Sequence, residues 1–395
     1  MISFFSLGLW ALALLLTVPA LFLSLEIVLG LHTFKQDGHS SAADSVDLKG
    51  LRILIPAHNE GGQILDLLDD LTDQIPLSQV LVVADNCDDD TALLASSTGA
   101  AVTIRIDTEK RGKAYALAHG RQVLGAGGTP PEHILFLDAD CRVEPNTIAV
   151  LMAASRASGH PVQADYRMVP HTDGVVGQGL SAFAFFVMNS LRQRGLKALN
   201  APARITGTGM LIPWAAVEKL HLDHGNLAED LEMGLSFAVN GTPTEFVPEA
   251  LVTSSLPPAA RQEVIQRQRW EKGSRDAQRR FVPALLRGGL NGNTALFYTL
   301  LDLWVPPVMK ILAFLIGAGG LSFIGIFFGV SGPFFLLFLA GTILGAALLL
   351  AMGTYNQLAH QPFSFHEIKA FLTLKLNVAK AGEADGWVRT ARDKE

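Results

Sequence analysis

Residues 2–31, ISFFSLGLWALALLLTVPALFLSLEIVLGL, carry one charge, Glu26. A run of this length has few choices, because about 20 apolar residues already cross the ~30 Å hydrocarbon layer as a helix. A secretory signal would have a basic start and an apolar stretch of roughly 7–15 residues. This run is longer and lacks that start, so it reads as a membrane anchor with room to tilt. Two further apolar runs follow the middle of the chain, at 305–330 and 333–356, separated by Ser331-Gly332. Each suits one span, the first starting at Pro306-Pro307, with 292–304 as an interfacial helix ahead of it. Charged residues make up 17% of the chain, against about 25% in soluble domains.

The tail carries Lys369, Lys375, Lys380, Arg389, Arg392 and Lys394. Basic flanks stay on the cytoplasmic side, which predicts a multi-pass protein of the inner cell membrane with its large middle block in the cytoplasm. The expected organisation is an anchor over 1–31, a linker over 32–49, and an α/β domain over 50–258. Amphipathic interfacial helices follow over 259–304, then spans over 305–330 and 333–356, and a cytosolic tail over 357–395. A net charge of −6 is not the basic excess of a nucleic-acid binder. The two cysteines, Cys87 and Cys141, form neither a disulfide framework nor a zinc spacing.

In the middle block, short β-branched runs alternate with segments of helical spacing. LRILIPAHNE (51–60), QVLVVADNCDDDT (79–91), AVTIRID (101–107) and HILFLDADC (133–141) read as strands, and GGQILDLLDDLTDQI (61–75) as a helix. This alternation predicts a mostly parallel sheet, whose working residues gather at the carboxyl ends of the strands. Three strand ends carry His58-Asn59-Glu60, Asp85-Asn86 and Asp138-Ala139-Asp140. Any one of these would equally serve to cap a strand or a helix; three together point to one acidic crevice. Asp88, Asp89 and Asp90 read as loop or helix-capping residues. An Asp-x-Asp at a strand end suits a hard divalent cation, Mg²⁺ or Mn²⁺, completed by substrate phosphates, although the pair alone also occurs in ordinary loops.

Taken in order, IPAHNE (55–60), VVADNCDDDT (82–91), KRGKAYAL (110–117), DAD (138–140), GTGMLIP (207–213), AED (228–230) and QRQRW (266–270) resemble the motifs of inverting family-2 glycosyltransferases. The resemblance is to the membrane-bound branch with cellulose, chitin and hyaluronan synthases and ceramide glucosyltransferases. It implies a GT-A fold, an α/β Rossmann-like domain flanked by transmembrane helices, and a nucleotide-sugar donor, expected to be a UDP-sugar. On that resemblance Asp85 accepts from the base or ribose, Glu60 supports the same pocket, and Lys113 adds positive charge near the nucleotide. Asp138 lines the nucleotide and metal site, and Asp140 ligates Mg²⁺ or Mn²⁺.

Inversion needs a carboxylate that takes the proton of the attacking hydroxyl, and Asp230 is the candidate; an acidic helix start is its plainer reading. Ala228 stands where the family often has threonine. On a helix Gln266, Arg269 and Trp270 share a face. There Arg269 would grip the pyrophosphate, while Trp270 and Gln266 would meet the acceptor. An amphipathic helix lying on the membrane fits the same residues. Thr208, between two glycines, is expected where the acceptor approaches. WVRTAR (387–392) is similar to the gating segment of processive synthases, and equally to a frayed terminus.

Three spans are too few to enclose a polymer channel. The expected reaction is therefore transfer of one sugar to a lipid-linked membrane acceptor, in exopolysaccharide or glycolipid biosynthesis. A processive synthase is the alternative. A sugar nucleotidyltransferase would need a glycine-rich basic signature that LIPAHNEGG does not match. A non-catalytic scaffold would have no use for Asp138, Asp140, Asp230, Arg269 and Trp270 together.

Overall fold

The structure, a computed structural model, describes residues 4–34, 46–171, 177–220, 229–257, 260–359 and 369, with the backbone alone at 229 and 260–272. It divides into two compact units. The larger comprises Asp37–Phe185, Pro202–Phe281 and Phe363–Glu395. It is built on strands β1 (Leu51–Ala57), β2 (Val80–Asp85), β3 (Ala101–Arg105), β4 (His133–Phe136), β5 (Cys141–Val143), β6 (Val162–Val169), β7 (Met210–Pro213) and β8 (Glu245–Ser255). These form one sheet in the order β3-β2-β1-β4-β7-β6-β8-β5.

The first four strands in that order run parallel. Their composition explains this: β2 and β4 are buried at every position and apolar apart from Asp85 and His133, as strands covered on both faces require. The helix Ile64–Thr72 turns Ile64, Leu67, Leu68 and Leu71 into the core at helical spacing. The helix Lys113–Ala126 contributes Ala116 and Leu117 to the cluster that holds Leu54, Val83 and Phe136. β7 is antiparallel to β4 and β6, β5 is antiparallel to β8, and β6 and β8 are parallel with an irregularity at Ala164/Asp165.

One boundary differs from expectation in a way that matters. The run 133–141 is not a single strand. β4 stops at Phe136, Leu137 still donates to the Leu54 carbonyl at 3.2 Å, and the Cys141 amide then closes a turn onto the Asp138 carbonyl at 3.2 Å. Asp138 and Asp140 therefore ride on a turn between β4 and β5. The ends of β1 and β2 bend similarly: Asn59 and Asn86 adopt φ of 55° and 53°, a left-handed conformation that asparagine tolerates better than most residues.

The second unit comprises Met1–Gln36, Phe186–Ala201 and Val282–Pro362. Phe4–Phe34, Val308–Ile326 and Gly332–Ala359 are long and apolar enough to cross a membrane. The expected interfacial helix at 292–304 is Thr294–Trp304, whose cap residue Asn293 accepts from the Leu296 amide. The expected tail over 357–395 lies outside the described residues apart from 357–359 and Lys369, and WVRTAR lies wholly outside them. Residues 186–201 come from the middle of the expected soluble block yet pack here, against the N-terminal helix. The approach is backbone to backbone: a Cβ on Gly30 would fall 2.1 Å from the Leu191 carbonyl oxygen, and one on Gly195 would fall 2.3 Å from that of Glu26. Only glycine fits at either point.

Beside this contact Arg192, 2% exposed, donates from Nε to Glu26 at 2.7 Å and from Nη2 to Asp302; Glu26 is 0% and Asp302 2% exposed. Removing one member of a buried ion network leaves uncompensated charge, at a cost of about 3–5 kcal/mol. The Arg192→Met variant should therefore melt several degrees below the parent in detergent. Adding Glu26→Gln to it should recover part of the loss, as read by thermal unfolding.

Candidate active site

The site grows from the carboxyl ends of the parallel strands, where loops after β1 and β2 are stitched together. His58 Nδ1 donates to the Asp85 carbonyl at 2.7 Å. The Asp88 amide donates to Asn59 Oδ1 at 2.9 Å, while Asn59 Nδ2 returns a bond to the Asp88 carboxylate. Asp89 accepts from the Gly61 amide at 3.0 Å, from the Thr91 amide at 3.0 Å and from the Thr91 hydroxyl at 2.5 Å. The Thr91 oxygen in turn accepts the Glu60 amide at 2.9 Å. Asp88 and Asp89 thus clamp the loop that carries Glu60, which is more than the loop or capping role their sequence context indicated. Asp90 does hold the cap position of the helix Thr91–Ser97, but without a side-chain bond to it. Partial burial works to raise the Asp89 pKa, yet the bonds from Thr91 and Gly61 together hold it below the ordinary value.

Asp85 closes β2 and is 6% exposed. Its Oδ1 accepts from Arg105 Nη1 at 2.6 Å and from Asn86 Nδ2 at 3.0 Å. Arg105 also reaches Asp107 at 3.0 Å and the Lys110 carbonyl at 2.8 Å, and lies 5.7 Å from the centre of the Tyr115 ring. Sequence reasoning missed Arg105. Its signal was register: it ends β3 directly beside Asp85, where a buried carboxylate needs a cation.

The acidic turn after β4 is organised around Lys113 and the segment 206–209. Lys113 Nζ sits 2.5 Å from Asp138 Oδ1 and donates to the Gly207 carbonyl at 2.8 Å. Gly207 has φ 86°, and a Cβ there would lie 3.3 Å from both Lys113 Nζ and Asp230 Oδ2. The ammonium and the Asp230 carboxylate are therefore no farther apart than twice that distance, so the structure brings Lys113, Asp138 and Asp230 together. Asp230 lies in the first turn of the helix described over Glu229–Val239, and its Oδ1 accepts from the Leu231 amide at 2.8 Å. Glu232, two residues on, is ion-paired with Arg280 at 2.6 Å.

Thr208 takes a different place from the one expected. It is 0% exposed, its Oγ1 accepts from the Asp138 amide at 3.1 Å, and it lies 3.1 Å from Cys141 Sγ. It is buried and braces the acidic turn. Gln163, also missed, is 0% exposed. Its Oε1 accepts from the Thr206 amide at 3.1 Å and its Nε2 donates to the Thr208 carbonyl at 2.9 Å. One buried amide thereby holds both sides of Gly207. Gln163 lies in β6, which is buried over its first five positions, and a buried amide must find partners.

Gln266, Arg269 and Trp270 fall on the helix Ala260–Leu290, and their side chains lie outside the described residues, as do Ala228 and the side chain of Glu229. Two carboxylates, Asp138 and Asp140, flank the turn, and no cluster of three metal-binding side chains occurs among the described residues. That donor set fits a hard ion that draws its remaining ligands from phosphate and water. Cys141, beside it, is buried, and burial first, then the Asp138 charge, push its thiol up to about 11.

The profile of a family described as "Glycosyltransferase like family 2" matches residues 49–273. No curated protein sequence matches the chain. Among solved structures, a mannosyltransferase from Pyrobaculum calidifontis in complex with GDP-Man and Mn²⁺ is 18% identical, with a TM-score of 0.52 over 88% of this chain and 98% of that one. Glucosyl-3-phosphoglycerate synthase from Mycobacterium tuberculosis is 17% identical, with a TM-score of 0.38 over 55% and 75%. S. aureus TarS is 13% identical, with a TM-score of 0.37 over 60% and 39%.

Two outcomes follow from this geometry. Gly207→Ala should cost about 1–2 kcal/mol from the left-handed backbone alone, measured by denaturant unfolding, because the new methyl also meets Lys113 and Asp230. Iodoacetamide at about pH 8 should modify the part-exposed Cys87 slowly, since burial raises its thiol too, but reach the buried Cys141 only after unfolding; mass spectrometry of the labelled protein checks both sites.

Proposed function

The chain belongs to glycosyltransferase family 2, and on that premise we propose that it moves one sugar, with inversion, from a nucleoside-diphosphate sugar to a lipid-linked acceptor in a membrane. The observation that carries this reading is the meeting of Lys113, Asp138, Gly207 and Asp230. A lysine and a carboxylate that would receive a diphosphate and its metal meet there with a second carboxylate that would take a proton. The Pyrobaculum enzyme, similar in fold, was solved with GDP-Man and Mn²⁺. A UDP-sugar remains our expectation for this chain, with Asp85, paired with Arg105 at 2.6 Å, as the acceptor for a base or ribose hydrogen.

Asp138 and Asp140 would hold Mg²⁺ or Mn²⁺, with Asp138 also bordering the nucleotide. When bound, that ion supplies charge stabilisation to the departing diphosphate. Asp230 accepts the proton of the acceptor hydroxyl as it attacks the anomeric carbon opposite the leaving group. Glu60, its amide fixed by Thr91, lines the nucleotide pocket. Arg269 would grip the pyrophosphate, and Trp270 and Gln266 would receive the acceptor.

The lipid acceptor is supported by three helices of membrane-crossing length among the described residues, a number too small to enclose a polymer channel. The basic residues of the tail, Lys369 among them, support an inner-membrane protein with its catalytic part in the cytoplasm. Exopolysaccharide or glycolipid assembly is the setting this acceptor implies.

The test is a panel of UDP- and GDP-sugars incubated with purified membranes and Mg²⁺ or Mn²⁺, reading released nucleoside diphosphate and the size of the labelled product. One donor should dominate, the product should gain a single sugar, and chelation should abolish release. Asp230→Asn should lower turnover by about 10²–10⁴-fold, the usual contribution of a positioned base. A long polymer would refute single transfer, and full activity of the Asn variant would remove Asp230 from the chemistry.

A further inference from the structure

We propose that Lys113 is an exchangeable counter-ion that holds Asp138 until the donor arrives and then hands it to the metal. The inference rests on the nucleotide-sugar reading above and adds an order of events to it.

The ammonium stands 2.5 Å from Asp138 Oδ1, so that oxygen is already paired with a cation. A divalent ion taking the same oxygen must face the lysine charge at a few ångströms, and that repulsion opposes metal binding to the donor-free enzyme. The pair is also able to open. The Asp138 side chain is 32% exposed and that of Lys113 27%, so a ligand in the crevice can touch both. A lysine head is a compact charge with three donors on a flexible stem. Here one donor already engages the Gly207 carbonyl at 2.8 Å. Nζ can therefore leave Asp138 while it stays tethered to the segment beside Asp230.

What would draw it away lies within reach. Lys113 is the first residue of a 14-residue helix that follows Gly112, at φ 128°. The dipole of such a helix start favours phosphate, so a diphosphate settling there meets Nζ on arrival. Its negative charge replaces Asp138 as the lysine's partner, and the freed carboxylate becomes a metal ligand. Metal and nucleotide then each strengthen the other's binding by the same factor.

The measurement is Mn²⁺ binding to the full-length protein in detergent, followed by electron paramagnetic resonance, with no nucleotide, with UDP and with GDP. The parent should bind Mn²⁺ at least about tenfold tighter when its preferred diphosphate is present. Lys113→Met should bind Mn²⁺ alone about tenfold more tightly than the parent, bind the diphosphate alone more weakly, and lose most of the coupling. Lys113→Arg, which keeps the charge, should keep part of it. If Lys113→Met loses its melting transition, Lys113→Gln serves the same comparison. Unchanged Mn²⁺ affinity in the neutral variant, with only nucleotide binding weakened, would overturn the exchange while leaving the proposed reaction intact. Absence of Mn²⁺ binding in every variant, with and without either nucleotide, would remove the metal from the reaction itself and the exchange with it.

Discussion

A single buried hydroxyl ties together the acidic parts of the larger unit. Thr208 Oγ1 receives the amide of Asp138 and contacts the thiol of Cys141, and so locks the turn after β4 to the segment 206–209. That segment has little structure of its own. It is held by Gln163 from below, by the bond from the Gly209 amide to the Phe136 carbonyl at 2.9 Å, and by Lys113 from above. Inside a dry core such bonds are stronger than at a surface, and each unmade one would cost the desolvation of its group. The crevice is consequently specified largely by the buried Thr208 and Gln163, with the part-exposed Lys113 beside them, and Asp138 inherits its position from these contacts.

Much of this was legible in the order of the residues. The parallel half of the sheet follows from short strand runs alternating with segments of helical spacing, and strands of one direction end on one side, which puts Asp85 and the turn of Asp138 at the carboxyl ends of β2 and β4. The motif order from IPAHNE to AED agreed with the family profile over 49–273. What escaped were the second members of pairs. Arg105 and Gln163 look ordinary in sequence, because their partners lie 20 and 43 to 45 positions away and no local pattern announces a contact across strands. Thr208 misled for the opposite reason. Flanking glycines suggested openness, but they serve a tight backbone path that leaves the hydroxyl buried. The break of 133–141 into strand, turn and strand was hidden because its apolar pattern runs on beyond Phe136 while its hydrogen bonds change partner.

The second unit repeats the theme of hidden pairing. Glu26 was visible only as the lone charge in an apolar anchor, and an isolated carboxylate there would be costly. Its partner, Arg192, comes from the middle of the chain, and Asp302 from a third segment. Three distant stretches of sequence are thus bound by one guanidinium, which favours a single arrangement of them over any slide of one apolar helix along another.

The contact of Gly30 with Leu191 and of Gly195 with Glu26 bears on how this protein can be dissected. Trimming the first 36 residues would not liberate a water-soluble enzyme. It would strip the cover from a helix encoded deep within the remaining polypeptide, and would leave Arg192 without one of its two anionic partners on a freshly exposed greasy surface. The apolar N-terminus is less a detachable leash than a missing wall.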